Sequence, residues 1–88
     1  GAKSQMIIKI LGTGCPKCKK LEQETRRAVE TLGLKAEIHK VTDYQEIMAY
    51  DVLSTPGLVI NETVVSSGRI PSREQLNTLL LEAASRQN

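Results

Sequence analysis

The chain contains no tryptophan and no phenylalanine, and its aromatic side chains are two tyrosines, Tyr44 and Tyr50. Proteins that hold single-stranded nucleic acid stack the bases on aromatic rings, so this supply argues against a nucleic-acid partner. The formal net charge of +2 is too small to point to a polyanion by itself. No apolar run approaches the ~20 residues that a membrane span needs, and no basic start leads into an apolar signal region. The chain therefore reads as soluble, unexported and cytoplasmic, with no membrane partner. Two cysteines are also too few for the disulfide framework of a small secreted domain.

What is present is one domain's worth of chain. At 88 residues, 40% of them apolar and 25% charged, it can build a single core, and that core must be made of Ile, Leu and Val. Residues 1–5 carry no pattern. They read as an N-terminal extension, consistent with a remnant of expression, with Met6 a candidate natural start; the domain is expected over residues 6–86.

"MIIKIL" (6–11) is short, β-branched and stopped by Gly12 and Gly14, the pattern of a buried strand. From Pro16 the period changes: Cys18, Leu21, Thr25, Ala28, Val29 and Leu32 fall on one helical stripe with charged residues between them. Pro16 suits the first turn of that helix and Gly33 the position just past its end. Residues 35–41 return to strand composition, with Ile38 and Val41 as the expected core contacts. A second helix begins at Thr42-Asp43, with Asp43 and Glu46 as a capping box and Ile47, Met48 and Val52 on or near its inner face.

That helix ends before Pro56. "GLVI" and "TVVSS" then form a hairpin about Asn61-Glu62. Ser72 and Gln75 cap a third helix that turns Leu76, Leu79, Leu80 and Ala83 inward. The order is β-α-β-α-β-β-α. The first strand–helix–strand unit requires a parallel pair and the hairpin an antiparallel one, so a four-stranded mixed sheet flanked by helices is expected, an α/β fold.

Both cysteines lie in "TGCPKCKK" (13–20). Cys15 falls at the cap of the first helix and Cys18 one turn in, on the same face. Unpaired N–H groups, the positive end of the helix dipole and Lys17, Lys19 and Lys20 all favour a thiolate at Cys15. Cysteines so placed titrate at about 3.5–7.5 in place of about 8.5. Cys18 lies toward the apolar stripe, where desolvation keeps it a thiol. An exposed thiolate can attack a disulfide, and a sheltered neighbour can resolve the mixed disulfide. Pro16 holds the two within reach, and Gly12 and Gly14 leave room for another chain. Two incidental core cysteines would gain nothing from a Pro-Lys insert at a helix tip. Downstream, Thr55-Pro56 immediately precedes a strand. A cis bond there would turn the Thr55 backbone outward to pair with an extended substrate, whereas a trans proline would simply end the helix.

The C-x-x-C after the first strand, the Thr-Pro before the third, the hairpin and the capped last helix together resemble the thioredoxin fold in its minimal, glutaredoxin-sized form. The chain is most similar to the small thioredoxin-like or glutaredoxin-like redox-active disulfide proteins of archaea and anaerobic bacteria, here with a C-P-K-C site. The resemblance implies a thiol–disulfide oxidoreductase, most simply a protein disulfide reductase, with no bound cofactor beyond a redox-active Cys15–Cys18 disulfide. It makes Cys15 the nucleophile and Cys18 the resolving residue, with Gly14, Pro16, Lys17, Thr55, Pro56 and Gly68 lining the substrate groove. The implied partners are disulfide-containing proteins and an electron donor, either a reductase of the thioredoxin-reductase type, a ferredoxin-linked reductase or a thiol pool. The chain is expected to act as a monomer.

The departures from the family are specific. Gly14 stands where thioredoxins carry Trp, and Lys17 stands where glutaredoxins carry an aromatic, so glutathione is not expected as a dedicated substrate. Lys9 stands where thioredoxins carry a buried Asp that helps move the resolving thiol's proton. Turned inward it could stabilise a thiolate; shifted by one residue it would face solvent. The rival reading is a soft-metal Cu(I) or Zn(II) carrier that uses the two thiolates. Its usual Met two residues before the first Cys is Thr13 here, and the Thr-Pro-Gly has no role in it. A closed zinc site needs four ligands, and the chain adds only His39, which reads as a surface or edge residue. A non-catalytic interaction module on the same scaffold would leave both cysteines incidental.

Overall fold

The computed structural model describes residues 6–12, 14, 16–52 and 54–86. The elements are β1 (Met6–Leu11), α1 (Pro16–Leu32), β2 (Ala36–Val41), α2 (Tyr44–Ala49), β3 (Gly57–Ile60), β4 (Thr63–Ser67) and α3 (Arg73–Arg86), in the order that the hydrophobic periods predict. The strands lie in one sheet, β2-β1-β3-β4. β1 pairs with β2 in parallel and with β3 antiparallel, and β3 and β4 form the hairpin. Among the described residues no helix is long and apolar enough to cross a membrane.

Alternation along β1 divides the core between the two faces of the sheet. Met6, Ile8 and Ile10 join Leu21, Ala28 and Val29 of α1 and Leu76 and Leu80 of α3 in one cluster. Leu11 faces the other way, with Val41, Val59, Val52 and Ile47 of α2. Leu58 and Leu80 are fully buried, and each such side chain contributes on the order of 1.5–3 kcal/mol by leaving water. Thr25 can occupy the buried stripe of α1 because its hydroxyl donates to the Leu21 carbonyl at 2.8 Å.

The ends of the helices follow local chemistry. Gly33, at φ +67°, closes α1 in a Schellman motif: Gly33 N–H donates to Glu30 O (3.2 Å) and Leu34 N–H to Val29 O (3.1 Å). Ser72 and Gln75 form the full reciprocal box, each side chain 3.2 Å from the other's N–H. At α2 the Asp43 carboxylate instead accepts from Gln45 N–H at 3.0 Å, so this cap closes two residues on. Met48 does not turn inward as expected; it is 47% exposed. With only six residues, α2 offers the core one inward position, and Ile47 fills it. Ile38, Leu79 and Ala83 pack partly buried against the main cluster, and Val41 is buried, as their spacing predicts.

The hairpin turns on Asn61 and Glu62, both in the left-handed region (φ +50° and +68°), the geometry that matches the strands' twist. A glutamate is a costly choice there, and its side chain shows why it is tolerated. Lys9 Nζ donates to Glu62 Oε2 (2.9 Å) and to Tyr50 Oη (2.6 Å), and Tyr50 Oη donates to Glu62 Oε1 (3.1 Å). Asn61 adds a second tie: its N–H donates to Ile7 O (2.8 Å) and its Oδ1 accepts Ile7 N–H (3.0 Å). Lys9 is thus neither aimed at a sulfur nor left to solvent. It lies on the α2 face, bound to tyrosine and glutamate.

Candidate functional site

The predicted site residues gather where β1 ends and α1 begins. Cys18, in the first turn of α1, is buried at 6% exposure, while Gly14, Pro16 and Lys17 around it are exposed. Cys15 and Thr13 lie outside the described residues. Gly14 has φ +92° with open space around it, a backbone geometry that glycine adopts without penalty. Gly12 has a different use from the one its sequence suggests. It is buried, and a Cβ there would overlap Cys18 Sγ, come within 3.2 Å of Cys18 Cβ and lie 3.9 Å from Thr55 Cβ. The space at position 12 therefore admits the protein's own sulfur.

The second segment closes on the same spot. The Thr55-Pro56 bond is cis; Pro56 is buried and Thr55 exposed. Pro56 O accepts the Gly68 N–H at 2.9 Å. Gly68 has φ +76°, and a Cβ on it would come within 3.0 Å of Ser54 Cβ. Gly57, the first residue of β3, pairs with both Leu11 and Ser67. The register thus brings the end of β1, the Thr55-Pro56 segment and Gly68 to one edge beside the start of α1. His39 is exposed on the edge strand β2, 3.4 Å from Glu37.

Reasoning from sequence missed three residues of this neighbourhood. Glu22, Lys40 and Thr42 line a small cleft with Cys18 and Gly12. Glu22 follows Cys18 by four residues on a helix, a spacing that could have flagged it; only the parallel register of β2 reveals Lys40. Arg26 grips Glu22 Oε2 through Nε (3.1 Å) and Nη2 (2.9 Å), and Lys40 Nζ is 3.6 Å from Oε1. The Arg26 hydrogen bonds hold the Glu22 carboxyl below its usual range, with Lys40 assisting and partial burial opposing. On the opposite face, the hydrogen bonds to Tyr50 and then Glu62 raise Lys9 above the ordinary lysine value, and Lys9 and then Tyr50 lower Glu62.

The Thioredoxin domain family model matches residues 6–81. A thioredoxin of Methanocaldococcus jannaschii is 46% identical over 71 residues, covering 81% of each chain. One of Methanothermobacter thermautotrophicus is 36% identical over 75 residues, covering 85% of this chain and 97% of its own. Among solved structures, the malaria parasite's thioredoxin-2 superposes with a TM-score of 0.68 at 18% identity over 89% of this chain and 82% of that one. The germline-specific thioredoxin Deadhead of Drosophila melanogaster gives 0.65 at 20% identity, covering 92% and 83%. At those identities the two structures speak for the fold, which is the one described above. With the family match spanning nearly the whole domain and both archaeal relatives agreeing, the chain belongs to the thioredoxin domain family and is a thioredoxin-like oxidoreductase.

Proposed function

We propose that the chain is a protein disulfide reductase that cycles Cys15 and Cys18 between dithiol and disulfide. The observation that carries this reading is the placement of Cys18: buried in the first turn of α1 and against Gly12, three residues after a cysteine that the sequence puts at the helix start. One sulfur is sheltered by the protein's own backbone, and the other belongs to the segment where helix N–H groups and neighbouring lysines favour charge.

The Cys15 thiolate attacks one sulfur of a substrate disulfide, forms a mixed disulfide and expels the second substrate sulfur as a thiolate, which takes a proton from water. Cys18 then loses its proton and attacks the Cys15 sulfur. The Cys15–Cys18 disulfide forms and the first substrate sulfur leaves as a thiolate. The substrate has gained two electrons from the pair and, once both of its thiolates are protonated, two protons, one matched by the proton Cys18 gives up and one from water. An external two-electron donor resets the pair: a reductase of the thioredoxin-reductase type, a ferredoxin-linked reductase or a thiol pool. Gly14, Pro16, Lys17, Thr55, Pro56 and Gly68 form the rim on which a disulfide-bearing segment docks, the Thr55 backbone pairing with it in the manner of an added strand.

Reduction of insulin disulfides with dithiothreitol as electron source tests the assignment. Cys15→Ser lowers the rate at least about a hundredfold, the scale for loss of a covalent nucleophile. Cys18→Ser leaves the first step intact and accumulates covalent adducts with the substrate. Equal alkylation of both thiols, or a Cys15→Ser variant as active as the parent, overturns the reading.

A further inference from the structure

Away from the cysteines, two open grooves of about 720 and 380 Å³ run along the seam between the edge strand β4 and α3, and they meet at Val65 and Leu79, which line both. The two edges of the sheet are protected differently. β2 carries Glu37, His39 and Lys40, charges that discourage another strand from pairing. β4 has no charged residue from Thr63 to Ser67 and carries a bulge instead. Leu58 pairs with Ser66 and Val59 with Val64, so Val65 is the extra residue. The pleat is interrupted there, and the consecutive residues Val65 and Ser66 both line the groove beside α3.

The α3 wall is built from two rows, each stepping by four residues. Gln75, Leu79 and Ala83 form one, and Glu74, Thr78 and Glu82 form the other. Glu74, Thr78 and Glu82 are exposed, and neither carboxylate makes an ion pair among the described residues. Eight residues of helix set those two carboxylates about 12 Å apart. Between them Val65 and Leu79 offer a half-buried apolar floor. Glu62, at the hairpin end, is already bound by Lys9 and Tyr50; Arg69, the one cation on these linings, follows Gly68 at the other end. Ser66 Oγ is buried with no hydrogen-bond partner among the described residues, a cost that an occupant able to widen the seam and bond it would remove.

We propose that the β4–α3 groove is a docking site for an extended protein segment with Lys or Arg at positions i and i+4 and an apolar side chain at i+2. A strand rises about 3.3 Å per residue, so these three side chains share one face and the outer two stand about 13 Å apart, the spacing of Glu74 and Glu82. The middle side chain then seats over Val65 and Leu79, with the segment running along β4. Charge selects this occupant. An acidic segment would meet two carboxylates. A second copy of the chain, joined across a twofold axis, would set the same acidic rim against itself, since such an interface uses one patch on both partners. The site does not depend on the reading of the cysteine pair.

The test titrates the isotope-labelled chain with a heptapeptide that has Lys at its second and sixth positions, Leu at its fourth and Thr, which favours extended backbone, elsewhere. Amide chemical shifts are expected to move saturably in β4 and α3, with a dissociation constant of about 1 mM or tighter, and binding should weaken as salt is added. The double variant Glu74→Gln, Glu82→Gln binds about tenfold more weakly, the scale for two exposed ion pairs. Thr78→Arg, which sets a like charge on the rim between them, weakens binding at least as much. Both variants reduce insulin at the parental rate. A peptide of the same composition with its lysines adjacent binds several-fold more weakly than the spaced one. Absence of saturable shifts, shifts centred on residues 14–18, equal binding by the double variant or equal binding of the two peptides overturns the proposal. Sedimentation of the chain alone covers the other occupant: self-association at the same protein concentration, abolished by Thr78→Arg, gives the groove to a second copy and likewise overturns it.

Discussion

Two clusters of cations and carboxylates flank the sheet, one on each face, and their chemistry is alike while their surroundings are not. On the α2 face Lys9, Tyr50 and Glu62 join β1, the end of α2 and the hairpin turn, with Glu62 67% exposed. On the α1 face Arg26, Glu22 and Lys40 join α1 to β2, with Glu22 15% exposed and Cys18 on the wall of the same cleft. The first is a tether for a strained turn. The second ties α1 to the edge strand at a cleft that Cys18 also lines. Strand parity separates them: Lys9 pairs with His39 and Ile10 with Lys40, so adjacent rungs of one ladder send lysines to opposite faces. Burial, more than the identity of the pair, determines what an ion pair can influence, because solvent screens the exposed one.

The largest expected effect comes from filling the backbone space between the cleft and Cys18. Gly12→Ala must displace the Cys18 sulfur or the β1–α1 backbone, with a cost of about 1–3 kcal/mol, the range for overpacking. A fall in the urea midpoint and a severalfold loss of insulin reduction are expected together. Retention of parental stability and activity would show that this region is looser than the cleft geometry implies.

Acid titration of stability ranks next. The folded-state carboxyl of Glu22 lies below its ordinary 4.5, so its contribution is present above the unfolded value and is lost as pH falls through the folded one. Glu62 carries the same sign, but its greater exposure makes its contribution the more salt-sensitive. Urea midpoints measured from pH 6 down to pH 2 should fall less steeply in Glu22→Gln than in the parent. In Glu62→Gln the flattening should be smaller and should vanish at high salt. Equal, salt-independent effects would erase the distinction between the clusters.

Lys9→Met gives the smallest effect. Lys9 is raised above 10.5 when folded, so the stability it lends is fully present below that value and fades only as the pH climbs through the folded one. At neutral pH its replacement should lower the melting temperature slightly, by less than Glu22→Gln does under the same conditions. A loss in Lys9→Met as large as that in Glu22→Gln would mean that exposure does not separate the two clusters.

Much of this was legible before any coordinates. Every element appears in its expected order because the apolar period changes cleanly from two to 3.6 and back, and because Gly33, Ser72 and Gln75 are local signals that act on their own neighbours. Met48 escapes the sequence pattern because a helix as short as α2 gives too few turns for its inward face to be read from period alone. The use of Gly12 is not legible in the sequence because nothing in a linear chain says which sulfur will come to rest against it.

Composition and local chemistry thus determined the thioredoxin-like order of elements, the core residues and the placement of Cys18 at the first turn of a helix. Tertiary structure alone decided that Lys9 is tied to Tyr50 and Glu62, that Thr55, Gly68 and Gly12 meet, and that Glu22 and Lys40 share a cleft with Cys18. The reason is physical: periodicity and capping act over a few residues along the chain, whereas strand register selects which side chains, tens of residues apart, emerge together on one face.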